Sequence, residues 1–280
     1  MRLFLLLGIS LWISGIALAG EVDQLVKDAK EAFGRNKVDD ALRLLDRALA
    51  IDSKNVEAYR TRAEVYEAVA KYSEAADDWT KVIALDKNRA SAYQQRGFVH
   101  FKAGKFKESI ADFDEYIERV PKAKNSHWQR GISYYYAGQY EDGRKQFEGY
   151  QDFDKNDVEN AVWHYLCSAR FEGVEKARAG LLKIGKDRRV PLMEVYALYA
   201  GKAKPEDVLK AARAGDPSEA ELKGRLFYAH LYLGLYYEAE GDKVKAREHI
   251  GKAADDYNVG HYMGDVARVG HKLLSESDKK

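Results

Sequence analysis

A period of 34 residues constrains the fold of this chain more than any other sequence feature. Short polar breaks such as KAGKFKES separate pairs of apolar-periodic stretches, each about a dozen residues long, as expected of paired helices. Small residues recur in two series and large apolar residues in a third: Ala29, Ala63, Gly97, Gly131; Ala41, Ala75, Ser109, Gly143; Leu45, Trp79, Phe113, Phe147. Such a period predicts a stack of helical hairpins.

This register resembles the tetratricopeptide repeat (TPR). The resemblance implies an all-α fold, a TPR helical-hairpin superhelix (α-solenoid), with four units in residues 22–157 that begin at Val22, Val56, Ala90 and Lys124. Residues 158–220 keep helical patterns but lose the register, and they are predicted to form divergent helical pairs. Residues 221–274 are predicted to form a C-terminal TPR unit, with Gly234 as its crossing glycine, and a capping helix. Residues 275–280 are expected to form a flexible tail.

The N-terminus is typical of a signal peptide, predicted for residues 1–19. Met1-Arg2 is a short basic start, an apolar run follows to Ile16, and the small residues around Ala19 indicate cleavage there. The alternative is a retained anchor, but the run is shorter than the ~20 apolar residues that span a bilayer. Since no cysteine follows the run, a lipoprotein is not expected. The sequence predicts an exported protein, periplasmic or secreted.

Composition and motifs argue against several functions. Lysine and arginine total 46 and aspartate and glutamate 45, so there is no basic excess to bind nucleic acid. Motifs for phosphate binding, metal binding or nucleophilic catalysis are missing from the sequence, so no cofactor, metal or catalytic residue is predicted. The single cysteine, Cys167, is expected to be a buried, unreactive thiol. We therefore expect a protein that is not an enzyme.

Three arginines also repeat with the period, at positions 62, 96 and 130. Such a series could clamp phosphate groups. We favour a structural interpretation, because each arginine precedes the crossing residue and can reach an acid of the paired helix, such as Asp78 or Asp112.

One stripe of residues in each repeat is left unexplained by helix packing. In the fourth unit it consists of Trp128, Ile132 and Tyr135, one position beyond the stripe that faces the paired helix. In proteins that resemble TPRs this stripe lines a peptide-binding groove. Exposed apolar patches usually mark contact sites. We therefore predict a peptide-binding groove formed by Phe98, Phe101, Trp128, Ile132 and Tyr135 and rimmed by Arg60, Gln94 and Lys102. Alternatively, the C-terminal helices or a second copy of the chain cover the patch.

The late part of the chain is similar to NlpI-type TPR proteins of the bacterial envelope. The resemblance rests on Tyr-Leu-Gly at 232–234, Tyr-Tyr at 236–237, Gly-Asp at 241–242 and the stretch KAADDYNVGHYMGDVAR. It implies a homodimeric adaptor whose partners are other proteins, such as peptidoglycan hydrolases and an envelope protease. Two alternatives remain at this point. One is a glycan- or peptidoglycan-acting enzyme, for which Glu64 and Glu67 are the nearest carboxylate pair, and the other is a self-associating structural scaffold.

Overall fold

The computed structural model describes residues 3–277, and the side chains of residues 18–276. Every regular element in that part of the chain is helical, which confirms the predicted all-α class. Met1 and Arg2 of the predicted signal peptide and residues 278–280 of the predicted tail lie outside the described residues. The helix that contains Ala19 runs without a break from Leu3 to Gly34, and the last helix continues to Ser277. No helix in the described part is long and apolar enough to cross a membrane.

The chain divides into two compact units, residues 1–119 and residues 120–280. The N-terminal unit contains three helical hairpins. Within each hairpin the two helices pack together, and successive hairpins also pack on one another. Its helices are α1 (Leu3–Gly34), α2 (Val38–Ile51), α3 (Val56–Ala68), α4 (Tyr72–Leu85), α5 (Ala90–Lys102) and α6 (Phe106–Arg119).

The C-terminal unit begins with a 3-10 turn at Pro121–Ala123 and one further hairpin of the same kind. Less regular helices follow, and the long helix α13 contacts four of them, α9, α11, α12 and α14. A π-helical turn at Lys252–Asp256 ends α14. The helices are α7 (Trp128–Tyr136), α8 (Tyr140–Tyr150), α9 (Val158–Glu172), α10 (Val174–Ala179), α11 (Leu192–Tyr199), α12 (Pro205–Arg213), α13 (Glu219–Ala239), α14 (Lys243–Gly251) and α15 (Tyr262–Ser277).

Close helix crossings explain the small residues of the period. A methyl group placed on Gly97 would lie 2.6 Å from the ring of Phe113, and one placed on Gly131 would lie 2.5 Å from the ring of Phe147. Both distances are far inside van der Waals contact, so any side chain at these positions would force the paired helices apart. Gly234 confirms the prediction for the C-terminal hairpin, because a methyl group there would lie 2.9 Å from the backbone nitrogen of Ile250.

The turn inside each hairpin contains one residue in the left-handed conformation, again at the period of the repeat. These residues are Asn36, Ala70, Gly104 and Gly138, with φ between 57° and 76°, and Gly241 has the same role in the α13–α14 hairpin. Glycine and asparagine adopt this conformation with little strain. Ala70 is the exception, and its place in the turn shows that packing of α3 against α4 outweighs a local backbone cost.

The repeated arginines connect the paired helices, as the sequence predicts. Arg62 donates from Nε and Nη2 to the two carboxylate oxygens of Asp78, at 2.7 and 2.8 Å, and Arg96 bonds Asp112 in the same bidentate manner. In the next repeat Arg130 donates twice to Oε1 of Gln146. Three equivalent pairs 16 residues apart identify these arginines as structural.

Helix α13 offers a matched test of the crossing constraint, because it contains two glycines with opposite surroundings. A methyl group on Gly224 would meet nothing within 4 Å. We expect Gly224→Ala to raise the free energy of unfolding by up to about 1 kcal/mol, since alanine is the better helix former. Gly234→Ala should lower it by about 1 to 3 kcal/mol, because the helices must separate. Urea denaturation of both variants measures the difference, and equal effects would contradict the close crossing.

Two buried histidines are kept neutral by the fold. Burial, together with the nearby Arg130, lowers the pKa of His127 to about 4, and its Nδ1 accepts a hydrogen bond from the backbone of Arg130. Burial and the adjacent His249 lower the pKa of His230 to about 4. The Nδ1 atoms of His230 and His249 are 2.9 Å apart, an arrangement that requires at least one neutral ring.

These pKa shifts predict loss of stability in acid. A histidine with a pKa near 6.5 in the unfolded chain and about 4 in the fold binds protons preferentially when unfolded, so stability is complete above pH 6.5 and declines toward pH 4. Between pH 7 and 5 His127 should contribute a loss of about 2 kcal/mol. His127→Asn keeps a side chain that caps helices and removes this proton uptake. Denaturation at both pH values should therefore show a smaller loss for the variant, and an identical loss would refute the assignment.

Candidate functional site: an aromatic cavity in the C-terminal unit

The predicted groove residues of the N-terminal unit are engaged in local interactions. Arg60 donates to both carboxylate oxygens of Glu57 and to Glu64, and Lys102 bonds Glu67 at 2.6 Å. The carboxylates of Glu64 and Glu67, which an enzyme would need as a catalytic pair, thus each accept a bond from a basic side chain. Gln94 is half-buried.

The two phenylalanines of the predicted groove differ in exposure. Phe98 is half-buried and makes an edge contact with Phe113. Phe101 is completely buried, so its prediction as a groove residue is wrong: no part of its ring reaches the surface.

In the C-terminal unit, Ile132 and Tyr135 are also buried, so their prediction as residues of an open groove is wrong too. The ring of Tyr135 packs edge-on against Trp163 of α9, with ring centroids 5.5 Å apart. A helix of the divergent region thus covers this side of α7. For Tyr135 the alternative interpretation of the sequence, a patch covered by C-terminal helices, describes the structure better than an open groove does.

Trp128, the remaining predicted residue, is half-buried and forms part of a cavity. Its ring makes an edge contact with Tyr262 of α15, with centroids 5.3 Å apart. The cavity has a volume of about 410 Å³ and lies entirely within the C-terminal unit. It is lined by side chains of α7, α8, α9, α13 and α15, of the segment before α9 and of the loop that precedes α11: Trp128, Phe147, Tyr150, Asp157, Glu159, Asn160, Trp163, Arg189, Tyr228, His261, Tyr262 and Met263. We call it the aromatic cavity.

The walls of the aromatic cavity consist largely of rings that hold one another in place. Trp163 is stacked on Phe147, and Tyr228 is stacked on Tyr232 and on His261. Phe147 is the residue that fills the crossing at Gly131, so one wall belongs to the repeat itself. The cavity therefore has rigid, mainly apolar walls, as pockets for small groups commonly do.

One end of the aromatic cavity is charged. Arg189, in the loop before α11, bonds Asp157 at 2.7 Å, Asp187 at 2.6 Å and also Glu159. Burial alone would lower the pKa of Arg189, but the three carboxylates raise it above its ordinary value, so the guanidinium stays charged. Burial raises the pKa of Glu159, against the attraction of Arg189.

Hydrogen bonds from backbone N–H groups hold this charged cluster in place. Asp157 caps the N-terminus of α9 by accepting a bond from the backbone of Glu159, and Asp187 accepts one from the backbone of Val158. The hydroxyl group of Tyr232 donates to Glu159 from α13. Arg189 thus bonds both carboxylates that line the cavity, those of Asp157 and Glu159.

Two buried polar atoms in the cavity wall have no hydrogen-bond partner among the residues that the structure describes. They are Oδ1 of Asn160 and Nε1 of Trp163, and both side chains are at least 97% buried. Nδ2 of Asn160 donates to the carbonyl group of Phe147, which fixes the amide with its oxygen as the unsatisfied atom. Neither atom is accessible to solvent, so both lie beneath the surface of the cavity.

Sequence reasoning found Trp128 but missed the residues that make the cavity. Arg189 and His261 lie 61 and 133 residues from Trp128 and outside the regular repeat. One local signal was present: Asp157 and Glu159 form an acidic helix start, directly after the last regular hairpin. The structure places Cys167 in the core, where burial raises the pKa of its thiol. Among the described residues no three His, Cys, Asp or Glu side chains are grouped closely enough to bind a metal ion.

Family comparisons agree with the repeat. Residues 95–158 match the family model described as tetratricopeptide repeat, and residues 14–88 match one described as alkyl sulfatase dimerisation. The chain has a fold of stacked helical hairpins, and residues 95–158 are similar to tetratricopeptide repeats. Solved structures show the same fold over most of it. A tetratricopeptide repeat protein from Parabacteroides merdae is 13% identical, and the match covers 91% of this chain and 99% of that one with a TM-score of 0.56.

Two structures of MamA are similar in the same way. One is 15% identical, with a TM-score of 0.54 over 71% of this chain and 99% of that one. MamA from Desulfovibrio magneticus RS-1, from residue 41 to its end, is 16% identical, with a TM-score of 0.52 over 70% and 98% of the two chains. Among curated proteins, the DNA-directed RNA polymerase subunit Rpo2 of Saccharolobus solfataricus is 26% identical over 136 residues. That match covers 44% of this chain and only 12% of the length of Rpo2.

Proposed function

We propose that this TPR-type protein is a non-enzymatic protein–protein interaction adaptor of the bacterial cell envelope, and that it binds a polypeptide segment at the aromatic cavity. The observation that carries the proposal is the cavity itself, about 410 Å³ in volume, walled by tryptophan and tyrosine rings and charged at one end by Asp157, Glu159 and Arg189. Aromatic residues in rigid pockets contribute most of the binding energy in many protein interfaces. The TPR fold is typically a scaffold for such contacts.

The cavity replaces most of the groove predicted from sequence. Trp128 belongs to both, whereas Phe101, Ile132 and Tyr135 are buried in the core. A second contact area remains a prediction in the N-terminal unit, formed by Phe98, Gln94, Arg60 and Lys102.

The envelope location rests on the N-terminal sequence and on the resemblance to NlpI-type adaptors. That resemblance suggests peptidoglycan hydrolases or an envelope protease as partners, and a homodimer as the working form. The match of residues 14–88 to a dimerisation family supports the homodimer. Sedimentation of the mature chain tests it, and a monomer at micromolar concentration would argue against this part of the proposal.

Binding at the cavity can be tested with a library of seven-residue peptides displayed on phage and selected on the mature chain. Replacing Tyr228 with alanine removes one wall of the cavity, so affinity for a selected peptide should fall at least about tenfold. Phe171→Ala is the matched control: Phe171 is 53% exposed at the end of α9 and does not line the cavity. Fluorescence anisotropy measures both affinities, and thermal unfolding checks that each variant is folded.

Tyr228→Leu, which keeps apolar contacts with Tyr232, should also bind weakly. Enrichment of no peptide, or equal binding by wild type and both Tyr228 variants, would contradict the proposal. Release of soluble muropeptides from purified sacculi would instead favour the glycan-acting enzyme considered from the sequence.

Export can be tested independently. Cleavage after Ala19 predicts a mature chain that begins at Gly20 in the envelope fraction, because the apolar run before it is typical of a signal peptide. Mass spectrometry of the purified protein measures the N-terminal residue. Detection of the peptide that contains Leu3 in envelope-bound protein would support a retained anchor instead.

A further inference from the structure

The charged end of the aromatic cavity carries an excess of negative charge. The carboxylates of Asp157 and Glu159 and the guanidinium of Arg189 line this end, which gives a formal charge of −1. Asp187 also bonds Arg189 but lies outside the lining. The lining also contains His261. Burial lowers the pKa of this histidine below its ordinary value, so it adds no positive charge at neutral pH. An apolar cavity that ends in net negative charge favours a cationic group.

The carboxylates retain acceptor capacity for such a group. Glu159 accepts one bond at Oε1 from Tyr232 and one at Oε2 from Arg189, whereas an ionised carboxylate can accept roughly four. A guanidinium group has five N–H donors and no acceptor, so it can donate to the carboxylate oxygens that still have free acceptor capacity.

The ring walls suit a flat cation. Trp128 and Tyr228 lie in the lining together with Tyr150 and Trp163. Guanidinium groups stack on aromatic faces, and they do so more often than ammonium groups. We infer that the aromatic cavity binds an arginine side chain of the partner polypeptide, between its aromatic walls and its carboxylate end; this inference rests on the proposed function.

Other charges near the carboxylates lie beyond the cavity wall. Lys186 and Arg188 are exposed and, with Asp154, line a separate depression that shares only Tyr150, Asp157 and Arg189 with the cavity. Salt screens such solvated charges more strongly than buried ones. The arginine preference of the cavity should therefore survive at physiological ionic strength.

The test compares peptides that differ only in one side chain. The probe is a capped seven-residue peptide of glycine and serine with arginine at its centre, and the controls carry citrulline, lysine, leucine or glutamate there. Citrulline has the shape of arginine without its charge. We expect the arginine peptide to bind about 5- to 30-fold more tightly than the citrulline peptide, the range typical of a partly desolvated cation on aromatic rings.

Indole N–H signals in nuclear magnetic resonance spectra locate the binding. The mature chain has three tryptophans, of which Trp128 and Trp163 line the cavity and Trp79 lies in the N-terminal unit. The arginine peptide should shift the signals of Trp128 and Trp163 and leave that of Trp79 unchanged. Glu159→Gln removes one negative charge, so the ratio of the two affinities should fall at least threefold. Glu175→Gln, at an exposed site on α10, should leave the ratio unchanged.

The outcomes separate this inference from the proposed function. Equal affinity for arginine, citrulline and leucine peptides, with shifts at Trp128 and Trp163, would refute the arginine site and leave peptide binding intact. Preference for the glutamate peptide would also refute it, and would make Arg189 the recognition residue. If neither these peptides nor phage-selected ones shift the two tryptophans, both the inference and the proposed site fail. The comparison on the wild-type chain needs no variant, so a misfolded Glu159→Gln would not weaken it.

Discussion

The close crossing of two helices at a residue without a side chain is the contact on which the rest of this structure depends. At Gly131 the backbone of α7 approaches the ring of Phe147 so closely that even a methyl group would collide with it. An amphipathic hairpin cannot bury its apolar face alone, so each hairpin must pack on a neighbour. Arginine–aspartate pairs also join α3 to α4 and α5 to α6, and Arg130 and Gln146 join α7 to α8.

The candidate site lies beside that crossing. Phe147 fills the space beside Gly131 and also lines the aromatic cavity, where Trp163 of the first divergent helix stacks on it. The regular repeat therefore supplies one wall, and the divergent helices supply the others. Departure from the repeat has a structural result: α9, α13 and α15 line this space with charged and aromatic side chains.

Much of the fold could be predicted from sequence because its determinants are local and periodic. The spacing of Ala63, Gly97 and Gly131 identified the hairpins, and Arg62 and Arg96 were correctly assigned to Asp78 and Asp112, since 16 residues bring both groups to one crossing. The site was predicted less well. Helical periodicity placed Ile132 and Tyr135 on an outward stripe, but which neighbour covers a stripe depends on helices far along the chain, and the ring of Trp163 covers Tyr135.

The sequence by itself determined the all-α class, the hairpin length, the crossing glycines and the arginine pairs, because each depends on residues that are close in the chain or repeat at a fixed interval. Only the tertiary structure decided that Trp128 lines a cavity, that Arg189 gathers three carboxylates at its end, and that Asn160 and Trp163 have unsatisfied atoms in its wall. These residues come together because helices without a repeating pattern pack on one another. Their contacts follow no sequence period, so they could not be predicted from the sequence.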